Sequence, residues 1–220
     1  MATSGTYTYS PEIAEVVDEA FERCGVDPST LVWRHSVSAR RSIMLMLSDW
    51  ANMPDAVKLW AVSDSTQALT QGDPTYDAPA GTVAILDAFI RRNGSDTPVT
   101  SMSRDEYYAI PSKTDQGLPT RYKFDLLIGT RVITLWQVPE NSTDVLHFSA
   151  LRRLQDVTAG GETLDVPFEW YEAFTADLSW RLAVKFSPEK VGGLRGLAGD
   201  ALAAAKSANR ERTATRMRGR

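Results

Sequence analysis

The chain has 220 residues, 43% hydrophobic and 24% charged, with a formal net charge of −4 and a single cysteine. This is the composition of a globular protein with one large domain, or a main domain carrying an insertion; Cys24 alone excludes an internal disulfide and a cysteine-based zinc site. No apolar run approaches the roughly 20 residues that span a bilayer and Met1 to Ser10 lacks a signal-peptide core, so a cytoplasmic product with no membrane address is expected.

Residues 1 to 9 read as an arm, and Ser10-Pro11-Glu12 opens a first helix whose apolar positions Ile13, Val17, Ala20, Phe21 and Cys24 keep helical spacing until Gly25 closes it. Asp27-Pro28-Ser29-Thr30 starts a second helix with an inner face of Ala39, Ile43, Met46, Leu47 and Trp50. It ends at Met53-Pro54, because proline cannot continue the hydrogen-bond ladder, and the two helices are expected to form a hairpin. Beyond Pro54 the apolar period falls to two. Val57 to Ser63 reads as a strand and Gln71 to Pro79 as a polar loop. Val83 to Arg92 fits a helix by spacing, but its β-branched content and the Asn93-Gly94 turn before Pro98-Val99-Thr100 favour a hairpin strand. Ser103-Arg104-Asp105-Glu106 begins a short helix through Tyr107 and Tyr108 that Pro111 ends. Arg121 to Ile128, Val132 to Val138 and Val145 to Leu154 read as three antiparallel strands.

Asp165 to Phe186 reads as a two-sided core helix with Asp165 as its cap and Pro167 in its first turn. Phe168, Tyr171, Leu178 and Leu182 form one stripe; Trp170, Phe174, Trp180 and Val184 cover a neighbouring face. So much aromatic surface needs cover from more than one direction, and Trp170, Phe174 and Trp180 are assigned to the core or to a subunit interface. The last segment carries an apolar stripe through Val191, Leu194, Ala198, Ala201, Leu202 and Ala205, interrupted by Gly192, Gly193, Gly196 and Gly199. At roughly 1 kcal/mol per interior glycine, such a helix needs a partner to be ordered. From Lys206 to Arg220 six basic residues face one acid, a local balance of +5, which leaves −9 on the rest of the chain. An acidic body with a basic tail suggests two partners or two surfaces.

The fold class expected is α+β: a bundle of N- and C-terminal helices with an inserted antiparallel β-region and an extended C-terminal tail. The domains are placed at 1–54 (N-terminal helices), 55–164 (β-rich insertion), 165–190 (core helix) and 191–220 (tail). No phosphate-cradling glycine loop, His-Glu-x-x-His or Gly-x-Ser-x-Gly motif occurs. His35 and His147 are assigned structural or surface roles, and no catalytic, cofactor or metal residues are expected. Asp105 with Glu106, Glu169 with Glu172, and Asp18 with Glu19 are the acid pairs a glycosidase-type site would draw on, but helix starts and solvated faces already account for them. The tail is the stronger signal, with Leu194, Leu202, Arg210, Arg212, Arg216 and Arg218 as its docking residues, the arginines pairing with carboxylates on a partner groove. DNA phosphates are the other target open to it.

A set of short segments in order also resembles the head-to-tail adaptor (connector) proteins of short-tailed phages, also called tail accessory or packaged-DNA-stabilisation proteins. These are Glu22-Arg23-Cys24-Gly25-Val26-Asp27-Pro28, Ser38-Ala39-Arg40-Arg41-Ser42, Leu47-Ser48-Asp49-Trp50-Ala51-Asn52, Leu59-Trp60-Ala61-Val62, Ser103-Arg104-Asp105-Glu106-Tyr107, Ile110 to Thr120, Leu135-Trp136-Gln137-Val138-Pro139 and Pro167 to Ala183. The resemblance covers about residues 5 to 190; the glycine-rich Val191 to Gly199 matches no motif of it. It implies a non-enzymatic virion protein of the neck, assembled in the host cytoplasm as a homo-oligomeric ring, usually of twelve copies. That ring would lie beneath the portal protein, with its C-terminal segment reaching the portal. It would extend the DNA channel, touch packaged double-stranded DNA without sequence preference, and anchor the tail tube or nozzle. The competing readings are a virion-associated peptidoglycan hydrolase and an ordinary DNA-binding protein.

Overall fold

The computed structural model describes residues 5–53 and 61–209. In chain order its elements are α1 (Ile13–Cys24), α2 (Trp33–Ala51), β1 (Val62–Ala68), β2 (Thr75–Asp77), β3 (Thr82–Arg92), β4 (Ser95–Pro98), β5 (Thr100–Ser101), α3 (Arg104–Ala109), β6 (Gln116–Gly117), β7 (Arg121–Leu126), β8 (Arg131–Trp136), β9 (Val138–Pro139), β10 (Val145–Arg152), α4 (Tyr171–Phe186) and α5 (Val191–Ala208). The fold is α+β, with helices from both ends of the chain flanking a β-region. Two compact units result: one from the described residues of Met1–Trp60 and Leu154–Arg220, the other Ala61–Arg153.

In the helical unit α1 buries Ile13, Val16, Val17, Ala20, Phe21 and Cys24, the stripe that its spacing requires. It starts later than Ser10-Pro11 suggests, because the Glu15 carboxylate accepts from the Glu12 N–H (3.3 Å) and moves the cap to Glu12. Gly25 ends it at φ 79°, a left-handed conformation without a Cβ penalty only for glycine. Asp27 accepts from the Ser29 N–H (2.8 Å) and opens only a 3₁₀ turn, Pro28–Thr30. The expected continuous second helix breaks there, and α2 starts afresh where the Val32 N–H donates to His35 Nδ1 (3.0 Å). Ala39, Ile43, Met46, Leu47 and Trp50 are buried along it.

α4 is the centre of this unit: α1, α2 and α5 all pack on it. Nine of its sixteen residues are buried, so it has almost no solvent face, and Trp50, Trp170, Phe174, Leu178 and Leu182 meet around it in one core. Phe168 lies in a preceding 3₁₀ turn and is 68% exposed, and Val184 is exposed too; both depart from the stripes drawn for them. Asp165 does not cap α4 but accepts from the Gln155 N–H (3.0 Å). The helix stops at Ser187-Pro188, as the proline requires.

The β-unit is built from two four-stranded sheets, ordered β1-β10-β3-β4 and β2-β8-β7-β5, and a short β6-β9 pair. Their buried sides, including Ile90, Leu146 and Phe148 from the first and Tyr76, Tyr122, Ile133 and Leu135 from the second, form one core. β3 and β4 pair across Asn93 (φ 51°) and Gly94 (φ 81°), a two-residue turn with both residues left-handed, matching the twist of an antiparallel hairpin. The segment expected to be a polar loop at 71–79 contains β2, which pairs with β8. The three strands read as neighbours at 121–154 do not stay together: β7 pairs with β8, but β10 crosses to the first sheet between β1 and β3. Two pairings, β5 with β7 and β6 with β9, are parallel. Residues 57–60, the start of the expected first strand, lie outside the described residues.

Candidate functional site

Trp170 and Phe174 lie in the core. Trp170 sits edge-on to Trp50 at 5.3 Å between ring centroids, and Phe174 meets the same ring at 5.9 Å. Trp180 is half-buried, with the guanidinium groups of Arg181 and Arg195 at 4.9 and 5.7 Å from its ring, so its indole carries a cationic rim. The carboxylate that organises this aromatic group is Asp177, 6% exposed. It accepts from Trp50 Nε1 (2.7 Å), from Trp180 Nε1 and from Arg181 Nε (3.2 Å), while Arg181 also donates to Asp49 (2.7 Å). A buried carboxylate with these donors is satisfied and fixes two tryptophans in orientation. The sequence expectations do not include Asp177; the Asp-x-x-Trp spacing from Asp177 to Trp180 is a local hint of it.

The glycine-broken segment finds its partner within the chain. α5 folds back along α4, buries Ala198 and Ala205, and leaves Leu194 and Leu202 half-buried against the helical core. A Cβ added at Gly192, Gly193, Gly196 or Gly199 would meet none of the described residues within 4 Å, so among them the four glycines lie on the open side of the helix. Of the tail residues proposed for docking, Leu194 and Leu202 thus sit on an ordered helix, and Arg210, Arg212, Arg216 and Arg218 lie outside the described residues.

One acid of each pair is occupied by structural work. Glu106 accepts from the Ser103 N–H (2.6 Å) while Ser103 Oγ accepts from the Glu106 N–H (3.2 Å), a capping box on α3, and the backbone bond holds the Glu106 carboxyl below its ordinary range. Glu172 takes a two-point contact from Arg23 (2.7 and 2.8 Å), whose Nε donates to Glu19 (2.8 Å). The guanidinium likewise holds Glu172 below the ordinary range. A general acid needs the opposite, a raised pKa. His35 serves the α2 cap and packs edge-on against Phe21 at 5.8 Å; His147 stacks on Phe89 at 4.8 Å. Among the described residues no group of three metal-ligating side chains comes together, and no helix is long and apolar enough to cross a membrane.

What remains are outward faces. α1 exposes Glu12, Glu15, Asp18, Glu19 and Glu22, and α2 exposes Trp33, Arg34, Arg40, Arg41 and Leu45. A groove of about 220 Å³ separates them, lined by Ile13, Val17, Val37 and Ile43, with Asp18 and Arg40 on its rim. In the β-unit, the β7–β8 turn exposes Leu126, Leu127 and Ile128 in succession, apolar surface that a turn has no structural need to display. The expected strand Arg121 to Ile128 takes in these residues, whereas β7 ends at Leu126.

A family model described as SU10 adaptor protein matches residues 12–220. Among curated proteins none matches the chain.

Proposed function

The chain belongs to the SU10 adaptor protein family, a family of phage head-to-tail adaptors, and from that premise we propose that it assembles as a closed ring, of about twelve copies, beneath the portal in the virion neck. The ring extends the DNA channel, helps to retain packaged DNA and gives the tail tube or nozzle its platform. The observation that carries this reading is the extent of the match, residues 12–220, which takes in both units and the basic tail. The charge distribution supports it. A body of −9 lets DNA slide through a channel, while a +5 tail suits an acidic groove on a partner. The protein acts by assembly and not by chemistry: the carboxylates Glu106 and Glu172 are held down by caps and arginines. Docking of the tail is assigned to Arg210, Arg212, Arg216 and Arg218, with Leu194 and Leu202 on the helix that leads to them.

Light scattering of the full chain, alone and with portal rings, tests the reading. The expected result is a ring-sized mass that forms on the portal; a mass that stays monomeric in both mixtures would overturn it. Removing residues 210–220 tests the tail separately. The truncation keeps α5 and its packing on α4, so the body stays folded, and portal attachment is lost. Unchanged attachment would transfer docking to another surface.

A further inference from the structure

A closed ring of identical subunits needs two different adhesive faces on each copy, one for the neighbour on either side. The outward faces of α1 and α2 differ in charge as such a pair requires. α1 exposes Glu12, Glu15, Asp18, Glu19 and Glu22, and its single basic residue, Arg23, is committed to Glu19 and Glu172. Asp18 and Glu22, one turn apart, have no ion-pair partner among the described residues. Acids at this spacing repel along a helix, a cost that a neighbouring countercharge removes.

α2 presents the converse. Arg34, Arg41 and Leu45 recur at spacings of seven and four on one exposed line, with Trp33 and Arg40 beside it. The only acid on the helix, Asp49, is bound by Arg181, and Arg34 lies over the Trp33 ring at 5.9 Å. Arg34 and Arg41 have no carboxylate partner among the described residues. Trp33 is 71% and Leu45 67% exposed, so this face offers apolar area as well as charge, the mixture in which aromatic and arginine anchors dominate interfaces. The two faces do not neutralise each other: Asp18 and Arg40 line the same groove without forming an ion pair.

We propose that these are the two halves of one contact between copies, the acidic face of α1 on one subunit against the basic, tryptophan-bearing face of α2 on the next. The proposal rests on the ring reading and names the surface that builds the ring. The charges set register and rate of association, and Trp33 and Leu45 supply the buried area.

The test uses two full-length variants, Asp18→Lys/Glu22→Lys and Arg34→Glu/Arg41→Glu, with wild type, and reads ring mass on portal rings by light scattering. Wild type forms rings. Each variant alone loses at least tenfold in ring yield, and an equimolar mixture of the two recovers it, because reversed α1 meets reversed α2 at alternate positions. Either variant alone giving wild-type yield would overturn the proposal, as would a mixture that fails to recover, which would give the α2 face to DNA or to the portal. Recovery as dimers only would replace the ring contact by a two-fold one and also overturn it. A wild type that forms no ring would instead remove the ring reading itself. If a reversed variant unfolds, the neutral pair Asp18→Asn/Glu22→Gln and Arg34→Gln/Arg41→Gln decides. Each of these should weaken assembly and flatten its salt dependence, and an unchanged salt dependence would refute the contact.

Discussion

Asp177→Ala takes the acceptor from the Trp50 indole N–H, which donates to it at 2.7 Å beside a ring with no solvent exposure, and from the Trp180 N–H and Arg181 Nε as well. A buried donor stripped of its acceptor costs about 1–3 kcal/mol, and the bonds lost are charge-assisted, the stronger kind. Arg181 keeps Asp49 (2.7 Å) and Trp180 is half-buried, so both recover part of their loss through solvent and that second partner. The expected destabilisation is therefore about 3 kcal/mol, and Asp177→Asn, which keeps one carbonyl acceptor, should cost about half as much. Urea unfolding followed by tryptophan fluorescence measures it, since Trp50, Trp170 and Trp180 all report on the helical unit. Asp200→Ala, exposed on α5, is the control and should stay within about 0.5 kcal/mol. A loss below about 1 kcal/mol for Asp177→Ala would refute the tryptophan-clamp role.

Phe174→Ala, at 1% exposure, should cost about 3–5 kcal/mol by urea unfolding, whereas half-buried Trp180→Ala should cost clearly less; equal losses would mean the outer side of α4 is misread. Gly25→Ala places a Cβ on the Lys190 ammonium at φ 79° and should destabilise by roughly 1 kcal/mol, read as a lower melting temperature. Asp125, held below its ordinary range by Lys123 and Arg104, and Glu172, held down by Arg23, have depressed folded pKa values. Their contribution is complete above the unfolded value near 4 and is lost as pH falls through the lower folded values. Melting temperature should accordingly be flat from about pH 5 upward in this respect and fall below about pH 4, and Arg23→Met with Lys123→Met should shrink that fall; an acid limb unchanged in the double variant would contradict it.

The helical unit was legible because its signals are local. Ile13 to Cys24 and Ala39 to Trp50 carry uninterrupted three-to-four spacing, and Gly25 and Pro188 are punctuation with a backbone cause. The errors at helix starts, Glu12 in place of Ser10 and Val32 in place of Asp27, arise because Glu15 and His35 reach back to the N–H three residues before them, while the Asp27 carboxylate caps only the 3₁₀ turn. The sheets were legible as strands but not as partners. Nothing in the alternation of Leu146, Phe148 and Ala150 says whether β10 pairs with β8 or crosses to β1 and β3, since pairing is a long-range choice that period-two patterning leaves open. Asp177 was hidden for the same reason: its donors come from α2 and from one turn along its own helix, and only the fold brings Trp50 to it.

The last segment divides into a folded helix and a basic end. Four glycines make Val191–Ala208 a poor isolated helix, yet a Cβ would fit at each of Gly192, Gly193, Gly196 and Gly199, so no close approach among the described residues demands them. Order here comes from Ala198 and Ala205 against α4, which makes α5 part of the folded body, while the arginine-rich end, Arg210 to Arg220, follows Asn209. If the tail docks as proposed, anchoring and docking are separable along the sequence. Gly193→Ala with Gly196→Ala should raise the melting temperature, by about 0.5–1 kcal/mol of helix stability per site, and should leave docking by residues 210–220 untouched. A stabilised chain that no longer attaches to the portal would show that the open glycine face itself meets the partner, and would move the docking surface from the tail onto α5.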